Sequence, residues 1–113
     1  MPDQHPVKTA DVTIPHLDPT LSSAETVDHL LNRIGEVDAA GPCLGSIIET
    51  NPEAMALAIE RDAERRDERV RGPLHGAAIV VKDNIDTDDA MLTAAGSLAL
   101  CTSRPQQDAP VVT

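Results

Sequence analysis

Residues 72–97 read GPLHGAAIVVKDNIDTDDAMLTAAGS, in which an apolar run, residues 77–81, ends on Lys82 and passes at once into Asp83 and Asn84. Five apolar residues bounded by turn formers suit a strand covered on both faces, as in an α/β sheet. The C-terminal end of such a strand is where open α/β sheets place their ligand crevices. Burial there disfavours the charged ammonium and makes Lys82 a candidate general base or nucleophile near neutral pH. The plainer alternative is a lysine that reaches out to water or pairs with Asp83, Asp86 or a helix carboxylate. Lysine is a rare choice in this chain, which has seven arginines but only Lys8 and Lys82.

Upstream, Ser22 followed by Glu25 forms a capping-box pattern that predicts a helix start. Val27, Leu30, Leu31, Ile34 and Val37 then fall on one apolar stripe at helical spacing, and Gly41 with Pro42 predicts the stop. Residues 44–49, LGSIIE, form a short β-prone run. Asn51 followed by Pro52 signals a second helix over residues 52–69, with Met55, Ala58 and Ile59 on its buried side. Its second half lies in ERDAERRDERVR (residues 60–71), which carries five acids and five arginines. Charge pairs such as Asp62 with Arg66 predict a solvated face there. Before all this, Pro2, Pro6, Pro15 and Pro19 mark residues 1–21 as an extended lead-in, which leaves 22–113 as the folded part.

The chain has 113 residues, room for a single core, and no Phe, Tyr or Trp from which to build it. A formal net charge of -10 argues against nucleic-acid binding and against an anionic membrane surface. No stretch is long and apolar enough for a membrane span, and MPDQHPVKTADVTIPH lacks the apolar core of a signal peptide, so a cytoplasmic location is expected. Cys43 and Cys101 fit no CxxC-type pattern, which suits two reduced thiols. They and His5, His16, His29 and His75 show no ligand spacing for a metal. Two helices and one covered strand do not close a sheet, and the chain reads as the opening section of something larger.

GPLHGAAIVVKDNIDT with TAAGSLAL closely resembles the first block of the amidase signature family, whose members read like GPLHGIPVLLKDNIDT and TTAGSLAL. HLLNRIGEVDAAGPCLGSIIETNPEAMALA upstream and SRPQQDAPVV downstream resemble the family's flanking steps, so the likeness runs in order over residues 22–112. The resemblance implies an α/β fold, here its N-terminal fragment: two helices, then the first core strands of a mixed sheet left incomplete. It implies hydrolysis of carbon–nitrogen amide bonds by a Ser, cis-Ser, Lys triad with no metal or organic cofactor. The family lysine falls on Lys82, which in its neutral form takes the nucleophile's proton through the bridging serine.

Two departures bear on that expectation. Gly76, Ala77 and Ala78 stand where the family has Gly-Ile-Pro, loosening the entry to the strand. Ser22, Ser23, Ser46, Ser97 and Ser103 lack the GGSSGG-like surroundings of the family's two catalytic serines, and Ser97 matches the non-catalytic AGS position. The oxyanion hole belongs to that absent block as well. The expectation is thus a fragment that carries only the lysine and is inactive alone, its small-molecule amide substrate bound only once the missing region completes it. The alternatives are a fragment that complements another amidase chain, and a non-catalytic piece that docks on one. Unpaired strand edges also predict self-association.

Overall fold

A computed structural model describes residues 20–113; the lead-in expected over 1–21 lies outside these, apart from Thr20 and Leu21. The first helix, α1, spans Ser23–Arg33 and starts as its sequence dictates. The Ser22 hydroxyl accepts the Glu25 N–H at 3.1 Å, and the Glu25 carboxylate accepts the Ser22 N–H at 2.8 Å. A π-helical turn over Ile34–Ala39 extends α1, and Gly41 then reverses the chain at φ +54°. Along the stripe Val27 is buried, while Leu30, Leu31, Ile34 and Val37 are half-buried.

The second helix, α2, spans Ala54–Arg66, two residues later and three earlier at its ends than the sequence suggests. Asn51 does not cap it directly. Its side chain accepts the Glu53 N–H and its carbonyl accepts the Ala54 N–H, so Asn51 builds the turn that leads into the helix. At the other end the Glu68 N–H reaches the Arg65 carbonyl and the Arg69 N–H reaches the Glu64 carbonyl. That pairing is a Schellman closure, and Glu68 holds the left-handed position at φ +58°, where glycine is usual. Without a glycine there, the sequence points to a later stop.

The helices α1 and α2 pack against each other. Among the described residues the buried hydrophobic core is Val27 from α1 and Ala58 from α2. Met55 is half-buried as its side of the helix requires, but Ile59 is 54% exposed, contrary to expectation. With so little apolar burial, polar contacts carry much of the junction, and they come from the charged half of α2. This corrects the reading of that half as a solvated face. The Asp62 carboxylate accepts the Ser23 and Ala24 N–H groups at 2.7 and 2.9 Å, capping α1 from another element instead of pairing with Arg66. Burial pushes the Asp62 carboxyl up, but the Ala24 and Ser23 N–H bonds, together with the nearby Ser23 side chain and Arg65 charge, outweigh it and the net shift is down.

Glu64 is buried between two arginines, with Arg61 Nη1 at 2.7 Å and Arg71 Nη2 at 2.5 Å. The Arg71 and then the Arg61 hydrogen bonds bring its pKa from the ordinary 4.5 to about 2. A carboxylate whose folded pKa is depressed contributes stability that is present above its unfolded value and lost as pH falls through the folded one. Glu25, held by the Ser22 N–H, and Asp38, held first by the Ser46 hydroxyl, are shifted the same way. Helical signal in far-UV circular dichroism is therefore expected to be flat above pH 5 and to fall as the pH drops from about 4.5 towards 2. Glu64→Gln should flatten that fall, and an unchanged acid profile in the variant would refute the assignment.

The expected strands do not form: no β-ladder occurs among the described residues. Residues 44–49 and 77–81 run without ladder partners, with Ile48 78%, Ile79 73% and Val80 79% exposed. A parallel-type strand needs neighbours on both sides and helices over both faces, and the two helices described here are engaged with each other. Among the described residues no helix is long and apolar enough to cross a membrane.

Candidate functional site around Lys82

The segment that leads to Lys82 is tied down at both ends. At its start, His75 is buried and satisfied on both ring nitrogens: Nδ1 accepts the Arg71 N–H at 3.2 Å, and Nε2–H donates to the Arg61 carbonyl at 2.8 Å. That pattern fixes the neutral tautomer protonated on Nε2. Arg65 Nη2 adds a bond to the His75 carbonyl at 2.8 Å. Gly76 follows at φ +77°, packed so closely on α1 that a Cβ at that position would lie 2.1 Å from Ser23 Oγ. The residues GPLHG thus fasten the run to the α1–α2 junction before it enters solvent.

At its far end Lys82 opens a turn in which the Ile85 N–H reaches the Lys82 carbonyl at 2.9 Å. The Lys82 side chain is exposed and forms no ion pair among the described residues. Neither Asp83 nor Asp86 pairs with it; of the two plainer alternatives, the lysine that reaches out to water is the one seen here, and the apolar run before it stays uncovered and does not desolvate it. Further along, the Asp88 N–H meets the Asp108 carboxylate at 2.7 Å, which draws the downstream DAP step onto the same block.

Lys82, Val80 and Val81 share an open cavity of about 290 Å³ with Ser46, Ile48 and Glu49 from the earlier extended segment. Ser46 is the serine the sequence did not single out for this position. Its hydroxyl donates to Asp38, whose carboxylate also takes the Ser46 and Ile47 N–H groups. A carboxylate held below its ordinary pKa by those bonds is a poor proton acceptor near neutral pH, so the Asp38–Ser46 pair is a loop clasp and does not activate a nucleophile. Ser97, the AGS serine, precedes the short 3₁₀ turn Leu98–Leu100. Cys43 and Cys101 are exposed free thiols. Among the described residues no three His, Cys, Asp or Glu side chains gather as a metal site.

With two packed helices leading into an apolar run and Lys82 beside an open cavity, the chain belongs to the Amidase family, whose model matches residues 25–113. The native peptide amidase of Stenotrophomonas maltophilia superposes with a TM-score of 0.77 at 50% identity, over 81% of this chain and 18% of that one. A Schizosaccharomyces pombe relative that bears the amidase name is 38% identical over 117 residues, covering 99% of this chain and 20% of its own length. An Arabidopsis thaliana relative, also named as an amidase, is 36% identical over 104 residues, 90% of this chain and 20% of that protein. The chain therefore spans about a fifth of the length of these relatives.

Proposed function

We propose that this chain is the lysine-bearing part of an amidase that hydrolyses carbon–nitrogen amide bonds through a Ser, cis-Ser, Lys triad. The observation that carries the reading is Lys82: a lysine with no carboxylate partner among the described residues, beside a cavity, in the family's GPLHG–KDNIDT block. An ammonium locked to a carboxylate could not act as a base, and among the described residues none is locked to Lys82. When the rest of an amidase covers Ile48, Ile79 and Val80, the same cover desolvates Lys82 and favours its neutral amine. In that state the amine accepts, through the bridging serine, the proton of the nucleophilic serine as it attacks the amide carbon. The same proton then goes to the leaving nitrogen, which departs as an amine or ammonia.

On this reading residues 1–113 alone do not turn over substrate, since the nucleophile and the oxyanion donors lie outside them. The higher identity to a peptide amidase makes peptide amides the first substrates to try. The uncovered apolar run also supports self-association of the isolated chain or pairing with a complementing amidase chain.

The test is a chimera in which residues 25–113 replace their counterpart in the Stenotrophomonas enzyme. It should hydrolyse a peptide amide, and Lys82→Ala should lower turnover by roughly 10²–10⁴-fold or more, the size of a lost general base. Full activity of the Lys82→Ala chimera would remove the lysine from the mechanism. Turnover by residues 1–113 alone, abolished by the same substitution, would overturn the claim that the triad is incomplete in them.

A further inference from the structure

We propose that Asp83 is a positioning residue for Lys82, its carboxylate captured by the backbone of the TAAGS loop. The inference rests on the reading of Lys82 as the base. Three consecutive amides of that loop converge on this one residue: Ala94 N–H on Oδ1 at 3.2 Å, Ala95 N–H on the Asp83 carbonyl at 2.9 Å, and Gly96 N–H on Oδ2 at 3.4 Å. Ala95 and Gly96 make this possible by their left-handed backbone, φ +49° and +70°, which turns successive N–H groups towards one side. Alanine rarely adopts that conformation, and here it does so around a negative charge.

The arrangement does two things for Lys82. First, it fixes the backbone immediately after the lysine, since Asp83 is bonded through its side chain and its carbonyl while the Ile85 N–H closes the turn on the Lys82 carbonyl. The run that carries the lysine is then held at His75 and at Asp83, with nothing but extended chain between. Second, it disposes of the carboxylate nearest in sequence. Both Asp83 oxygens face loop amides, and Lys82 forms no ion pair among the described residues. A triad lysine that acts in its neutral form has to avoid a permanent carboxylate partner, and the loop takes the adjacent one out of contention. The KDN and AGS segments of the motif are thus two halves of one device.

Hydrogen exchange in residues 1–113 and kinetics in the chimera test it together. Asp83→Ala should speed exchange at Ala94 and Gly96 by about tenfold or more, while Thr26, bonded to the Ser22 carbonyl inside α1, keeps its rate. Asp83→Asn retains one accepting oxygen and should restore part of the protection. In the chimera, Asp83→Ala should cut kcat about tenfold or more with KM within about twofold, the mark of a misplaced base and not of lost binding. Unchanged exchange in Asp83→Ala would refute the capture, and faster exchange with unaltered kcat would refute the positioning role. A chimera inactive before any Asp83 substitution would refute the amidase reading instead, and the exchange rates would still decide the anchor.

Discussion

Gly76→Ala is expected to destabilise the fold by about 2–5 kcal/mol. Two independent costs meet at this position. The backbone is at φ +77°, where an L side chain costs roughly 1–2 kcal/mol. The new Cβ would also stand 2.1 Å from Ser23 Oγ and 3.3 Å from Arg65 Nη2, in a junction where Ser23 is buried at the first turn of α1. Relief requires the buried Ser23 side chain to turn away or the GPLHG turn to move, and the second motion strains the Arg65 bond to the His75 carbonyl. Gly35→Ala is the control, because nothing lies within 4 Å of its added Cβ and its backbone is helical. That substitution should be neutral or stabilising by about 0.5–1 kcal/mol. Urea unfolding followed by far-UV circular dichroism separates the two, and equal midpoints for the Gly76 and Gly35 variants would refute the packing assigned to Gly76.

The contrast between these glycines shows what could be read in the residues and what could not. Helix starts and stops are local, and Ser22 with Glu25 and Gly41 with Pro42 announced them because each signal acts within a few residues of itself. Lys82 stands out through its block, and its role there rests on the resemblance; among the described residues it meets no carboxylate. The charged half of α2 was misread for a physical reason. Spacing along a helix reports on i,i+4 neighbours, whereas Asp62 bonds residues 38 and 39 positions away and Glu64 meets Arg71 from the following turn. Such partners depend on how two helices cross. Strand propensity in residues 44–49 and 77–81 was equally local, but a strand exists only with neighbours, and the helices engaged elsewhere supply none. The left-handed Glu68 defeated the helix boundary because nothing in its side chain announces that conformation.

His75→Leu is expected to cost about 2–4 kcal/mol although leucine is close in size and the site is buried. The imidazole side chain is 1% exposed and uses both nitrogens, one as acceptor for the Arg71 N–H and one as donor to the Arg61 carbonyl. Each such bond is worth about 0.5–1.5 kcal/mol net, and leucine would leave both backbone partners facing an apolar group. Two partial mimics divide the loss. Asparagine places an acceptor near the Nδ1 position and glutamine a donor near Nε2, so each should recover a share of the stability that leucine forfeits. Because His75 is held by α2 and precedes Gly76, its loss should also free the start of the run that ends on Lys82. The predicted signature is faster amide exchange at Arg71 and Ala77, whose N–H groups bond His75 Nδ1 and the Leu74 carbonyl, ahead of any change at Thr26 in α1. If α1 and the GPLHG turn lost protection together and equally, His75 would be an ordinary core residue. Separate loss at the turn would mean that the buried histidine anchors the lysine-bearing segment to an otherwise thin core.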